Sequence, residues 1–281
     1  LSADGAPLTV KVEGEDGTSL VVKQLPDGDE VARARALHAQ AATAAADSPA
    51  AARPVGFAVE DGRAFVVRPF VEGVSLAAIL ATLKAEEVPP DAPTWRLAAG
   101  ARGGGANVTG AKMVCRIGQY AAQALVDVHA RGAVHGALKP ENLICDDTVK
   151  PTVTDFGCGH PRPPYDAPEV VSATDRATAR DALADLYALG AVLHESLTRQ
   201  ALFEGDAAAV EQATLSRKPI SPLKLNFKAS KEMTTITLAL LEKSPGDRYA
   251  SAAELKADLD RYHTNEPIER KPKGLLKRLF G

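Results

Sequence analysis

His135-Gly136-Ala137-Leu138-Lys139-Pro140-Glu141-Asn142 is followed by Asp155-Phe156-Gly157 and then by Ala167-Pro168-Glu169. A fourth string, Val21-Val22-Lys23, lies far upstream in a β-rich run. Each string is weak by itself; their order and spacing carry the reading. Around them the chain changes character. Residues 8–13 alternate apolar and polar, Gly14–Thr18 is turn-forming, and Ser19–Leu25 is a second β-rich run, so the pattern predicts a hairpin. A helix is predicted over Asp29–Asp47, with Asp27 or Asp29 as N-cap. Two more strands follow, over Pro54–Val59 and Ala64–Phe70, joined at Asp61-Gly62.

From Ser75 onward helical periodicity takes over. Leu76–Ala85 reads as a short helix. Residues 86–111, rich in Pro, Gly and Ala and carrying the only tryptophan, Trp95, read as a loop insertion. Val114, Ile117, Ala121, Leu125 and Val128 give Lys112–Ala130 an amphipathic stripe. Short β segments are predicted at Leu143-Ile144 and Thr152-Val153, and helices at Arg180–Leu197, Lys231–Glu242 and Ser251–Tyr262. The alanine-rich stretch Gln40–Ala52 favours helix but buries little area.

Bulk properties narrow the function. A net charge of −3 over 281 residues offers no global basic field for nucleic acid. Cys115, Cys145 and Cys158 form no metal-binding spacing and read as reduced thiols, which fits a cytoplasmic setting. No apolar run reaches membrane-spanning length, and no signal-peptide pattern is read. A start at Leu1 rather than methionine suggests a fragment, such as the cytosolic domain of a larger or membrane-associated protein.

In this order the strings resemble the protein-kinase family, and the resemblance runs throughout the chain. Asp185-Leu186-Tyr187-Ala188-Leu189-Gly190 resembles the start of the family's buried central helix. Asp247-Arg248-Tyr249 resembles the segment whose arginine pairs with the glutamate of Ala-Pro-Glu. The wording Leu-Lys-Pro-Glu-Asn and the compact length look bacterial. The resemblance implies an α+β, bilobal fold. A small antiparallel N-lobe of five strands and one helix would occupy residues 1–70. The hinge and a larger helical C-lobe would occupy 71–265, with the insertion at about 86–111, and a basic amphipathic tail would follow over 266–281. That tail, with Arg270, Lys271, Lys273, Lys277 and Arg278, reads either as a solvated end or as a helix for a partner or an acidic membrane surface.

The same resemblance implies roles. Phosphoryl transfer is mainly positioning and charge neutralisation. Lys23 would hold the ATP phosphates, Asp155 and Asn142 the Mg2+ ions, and Lys139 the transferring phosphate. Pro69 and Val71 would offer hinge backbone groups to adenine. The aspartate that accepts the substrate hydroxyl proton is absent: that position is Ala137.

Further departures accompany it. The phosphate-loop stretch, Ser2-Ala3-Asp4-Gly5-Ala6-Pro7, keeps one glycine. His38–Thr43 holds no acid to partner Lys23; Gln40 offers a neutral hydrogen bond, and Glu30 falls near the helix start. Val21 crowds the adenine roof. Arg68 stands where a gatekeeper is expected, long enough to fill the back pocket or reach Asp155. Asp155 to Glu169 spans 15 residues with four prolines. Gly136 replaces an arginine that would read a phosphate. His135, Phe156, Asp185, Glu169 and Arg248 are retained as architecture. His135 reads as a core histidine, and His160 and Cys158 as surface residues.

Two readings remain. One is a pseudokinase that binds a protein partner, with ATP and Mg2+ weak or absent. The other is a serine/threonine kinase, weakly active or carrying an engineered Asp→Ala change at Ala137. Lys23 either serves nucleotide or pairs directly with Asp155.

Overall fold

The computed structural model describes residues 9–25, 39–40, 42–45, 47–85, 92–100, 109–157, 163–176 and 178–271. Strands β1 (Thr9–Glu13), β2 (Ser19–Gln24), β3 (Gly56–Glu60) and β4 (Arg63–Pro69) form one antiparallel sheet in the order β1-β2-β4-β3. Two tight turns set its register. Thr18 N donates to Asp16 Oδ1 at 2.9 Å beside Gly17, whose φ is +79°. Asp61 and Gly62 both take positive φ, +49° and +74°, the geometry of a two-residue hairpin loop. Four strands are seen among the described residues; a fifth would precede Thr9, outside them. Residues 39–40 and 42–44 are helical, and the rest of the predicted Asp29–Asp47 helix also lies outside the described residues.

The C-terminal lobe is helical. Its elements are β5 (Val74–Ser75), α1 (Leu76–Ala85), α2 (Ala92–Ala98), α3 (Gly110–His129), β6 (Leu143–Cys145) and β7 (Pro151–Val153). They continue with α4 (Pro168–Ser172), α5 (Ala182–Thr198), α6 (Ala207–Ser216), α7 (Pro222–Leu225), α8 (Lys231–Leu240) and α9 (Ala252–Thr264). The small sheet β5-β6-β7 supports the loop that carries His135 to Asn142.

Helix α5 is apolar on nearly every side, which a helix tolerates only when surrounded by protein. Leu186, Tyr187, Leu189, Val192 and Leu193 are fully buried. Asp181 caps it by accepting from Ala184 N at 2.8 Å. At Gly190 an added Cβ would stand 2.6 Å from Leu240 Cβ, so only glycine lets α8 approach this closely. Helix α3 turns Ile117, Leu125 and Val128 inward, as its periodicity predicts, and Thr109 caps its start.

The insertion expected over 86–111 needs correction. Ala92–Ala98 is a helix, and Gly110 and Ala111 open α3. Trp95 is fully buried in the main core. Its apolar surface outweighs the loop-like composition around it, and Pro93 falls in the first turn, where a missing N–H breaks no helix bond.

The alanine-rich stretch ties the lobes together through backbone rather than side-chain bulk. Ala52 N donates to Val153 O at 2.7 Å, and Val153 N to Ala50 O at 2.8 Å. Ser48 Oγ donates to Asp127 Oδ2 on α3 at 2.5 Å.

Burial of Trp95 yields the first expectation. Trp95→Ala should lower stability by about 3–5 kcal/mol in urea denaturation, the usual cost of emptying a large aromatic site. An unchanged midpoint would place α2 outside the core.

Candidate functional site

The cleft chemistry starts from strand pairing. Val21 lies opposite Arg68 and Lys23 opposite Val66 across β2 and β4. Opposed residues, and residues two apart on one strand, share a face. Lys23 and Arg68 therefore sit diagonally on the same face of the sheet. Both reach the C-lobe carboxylate that the Asp155-Phe156-Gly157 turn presents.

Lys23 Nζ lies 2.6 Å from Asp155 Oδ2, and Arg68 Nε lies 2.6 Å from Asp155 Oδ1. Asp155 is 7% exposed. Burial alone would raise its pKa, but Lys23 and then Arg68 outweigh that and hold the carboxyl below its ordinary value. Its backbone is left-handed, φ +63°, which non-glycine residues adopt rarely and at a cost. Gly157 follows at φ +67°. The pairing of Lys23 with Asp155 and the reach of Arg68, both open in the sequence, are thus realised together. Gln40 is exposed. The stretch Ser2–Pro7, Glu30, His38, Cys158 and His160 lie outside the described residues.

The loop itself is held from behind. Asp185 on α5 accepts from His135 N at 2.7 Å and Gly136 N at 2.8 Å, and His129 Nε2 lies 2.9 Å from Asp185 Oδ2. His135 is fully buried, and burial holds its pKa below the ordinary value, so it is neutral. Its Nδ1 accepts from Ala137 N at 3.1 Å, which puts the proton on Nε2, 3.0 Å from Thr154 O. Its ring stacks on Phe156 with centroids 4.6 Å apart. His135 is thus a core residue and not a base. At the far end of the lobe, Arg248 makes two 2.7 Å bonds to Glu169, with Arg248 fully buried and Glu169 half-buried.

The other predicted site residues fall as follows. Asn142 is buried, and its Nδ2 donates to Ala137 O at 2.9 Å. Pro69 pairs with Leu20 across the sheet, and its carbonyl accepts from Arg68 Nη1 at 3.2 Å, so the group expected to meet adenine is already engaged. Val71 follows directly in the connection to the C-lobe. Lys139 lines a small cavity of about 20 Å³ together with Gly136, Ala137, Tyr165, Asp166 and Arg180. Each oxygen of Asp155, the residue expected to meet Mg2+, accepts one hydrogen bond from a cation, Lys23 on Oδ2 and Arg68 on Oδ1.

Sequence reasoning missed Arg180 and Asp166. A Cβ on Gly136 would stand 3.5 Å from Arg180 Cδ, so Arg180 lies over the glycine that replaces the expected arginine. Asp166 is buried, and its Oδ2 has no hydrogen-bond partner among the described residues. Burial pushes its carboxyl up to about 6, against the opposing pull of Arg180 and Arg176. Neither residue belongs to a recognised string; only the fold brings them beside Ala137. Tyr165 docks the short segment by donating to Glu195 Oε2 at 2.6 Å.

The family description "Protein kinase domain" matches residues 108–259, more than half of the chain. The chain belongs to the protein kinase family. Serine/threonine-protein kinase PknB of Mycobacterium tuberculosis is 34% identical to it over 164 residues, covering 53% of this chain and 26% of PknB. Serine/threonine-protein kinase pkn3 of Myxococcus xanthus is 30% identical over 229 residues, covering 71% of this chain and 36% of pkn3. This kinase domain therefore spans roughly a quarter to a third of those relatives. The crystal structure of the Mycobacterium tuberculosis PknI kinase domain matches its fold, with a TM-score of 0.67, 17% identity and coverage of 93% of this chain and 92% of that one. Among the described residues no helix of this kinase domain is long and apolar enough to cross a membrane.

The Asp166 environment predicts a pH effect. A carboxyl raised from 3.8 to about 6 favours the folded state most while protonated, and that contribution is lost as pH rises through about 6. Asp166→Asn should raise the melting temperature by about 2–4 °C at neutral pH, where the wild-type carboxylate is buried and charged. Near pH 4 the two proteins should melt together. A loss of stability at neutral pH would show that the charged form is instead well paired.

Proposed function

We propose that this kinase domain is a pseudokinase: a catalytically impaired domain that acts as a protein-binding or regulatory signalling module. The observation that carries the proposal is the engagement of both oxygens of Asp155 by Lys23 and Arg68 while Ala137 stands at the base position. A methyl group accepts no proton. Loss of a general base costs roughly 10²–10⁴ in rate. The second effect concerns charge. In a working site the lysine and the metal-binding aspartate face the nucleotide; here they face each other, with Arg68 completing the neutralisation. Nucleotide phosphates would have to displace charge-assisted bonds between partly buried groups.

The parts that support folding favour the same reading. Asp185 under the loop, His135 against Phe156, and Glu169 on Arg248 hold architecture without performing transfer. The short, proline-rich segment leaves little platform for a peptide substrate. A second reading, a weakly active or inactivated serine/threonine kinase, is favoured by the retention of Lys139, Asn142 and Asp155.

Transfer and nucleotide binding test these readings separately. The unaltered chain, purified free of other kinases, should transfer no radioactive γ-phosphate to protein. Millimolar ATP with magnesium should leave its melting temperature unchanged, whereas a ligand at 100 times its Kd would stabilise it by about 2.7 kcal/mol. Arg68→Ala frees Asp155 Oδ1 and should bring a nucleotide-dependent shift into view. Robust magnesium-dependent phosphorylation by Ala137→Asp would instead establish the second reading.

A further inference from the structure

The C-terminal lobe carries a larger cavity of about 270 Å³, separate from the residues around Asp155 and Ala137. It opens where the loop after α5 meets the segment between α6 and α7. Phe203 and Ile220 supply apolar wall, Arg217 and Lys218 supply charge, Glu204 is the one acid in the wall, and His194 lines it from α5.

His194 is an unusual group to find there. It is 1% exposed, and its Nε2 lies 2.9 Å from Ile220 O, which places the ring proton on Nε2. Burial holds the imidazole neutral. Nδ1 is then a bare acceptor, buried and without a hydrogen-bond partner among the described residues. Leaving such a group unmatched is unfavourable, so this wall of the cavity is held by packing rather than by polar pairing.

Charge and apolar surface continue outward from the cavity. Residues 217–231 contain Arg217, Lys218, Lys224, Lys228 and Lys231 and no acid, although the chain as a whole carries −3. Arg217, Lys218, Lys224 and Lys228 form no ion pair among the described residues. Ile220 is 56% exposed and Phe227 85% exposed beside them. Exposed Ile220 and Phe227 bordered by cations have the arrangement of an apolar interface centre with a charged rim.

We propose that this cavity and its basic rim form a docking site for an acidic, apolar peptide segment of a protein partner. The inference rests on the reading of the domain as a protein-binding module and names the surface that does the binding. An aliphatic or aromatic side chain enters between Phe203 and Ile220. Flanking carboxylates meet Arg217 and Lys218. Charge complementarity selects the partner, and the apolar cavity separates it from a nucleic acid, which would use only the rim.

Selection from a displayed library of random dodecapeptides on the whole chain tests the site. Enriched peptides should combine aspartate or glutamate with leucine, phenylalanine or methionine. Their affinity should fall about tenfold or more in the double variant Arg217→Glu, Lys218→Glu and in Ile220→Asp, which alter exposed residues. It should also fall with rising salt. No enrichment, peptides without acids, or equal binding to these variants would overturn the proposal. So would tighter binding to phosphatidylserine vesicles that is lost in the double variant but kept in Ile220→Asp, which would assign the rim to lipid. Peptides that bind elsewhere sink this site alone, whereas protein phosphorylation by the unaltered chain sinks the impaired-catalysis reading alone.

Discussion

Asp155 sits between two cations of the other lobe, and most of the cleft follows from that contact. Its carboxylate is nearly dry, and a dry carboxylate stays ionised only when paired. Lys23 and Arg68 supply the pairing from adjacent strands whose register puts them on one face. The left-handed turn at Asp155 aims the carboxylate at them. One set of charges thereby joins the lobes and neutralises the group on which metal chemistry would depend. A structure can close this cleft by binding a charged ligand or by satisfying its charges internally. This chain has the means for the second.

The rest of the framework lies behind that contact. Asp185 fixes the amides of His135 and Gly136, Asn142 ties back to Ala137 O, and Phe156 seals against the His135 ring. Further away, Glu169 and Arg248 lock the start of α4 to the region before α9. These bonds hold the loop in shape whether or not residue 137 has a carboxylate. An alanine at 137 and retention of the fold are therefore compatible. Arg180 over Gly136 and the buried Asp166 bring other charges to the small cavity beside Ala137.

Legibility differed by element for physical reasons. The strand pair around Lys23, the stripe of α3 and the apolar run of α5 were readable because local periodicity reports which face is buried. Residues 92–98 were not: Pro and Gly content predicted a loop, while Trp95 made the segment part of the core. Arg68 was readable as a long cation in an unusual place, but whether it filled a pocket or met Asp155 depended on distances across the lobes. Arg180, Asp166 and the unpartnered His194 Nδ1 left no signal, since each gains its meaning from neighbours remote in sequence.

Sequence alone determined the family resemblance, the missing carboxylate at 137 and the set of charges available to the cleft, because residue identity and spacing encode them directly. Only the tertiary structure decided which charges meet. Burial converts a list of lysines, arginines and aspartates into obligatory pairs, and the pairs depend on strand register and on how closely the lobes approach. Those quantities are fixed by packing over the whole chain, not by any short string within it.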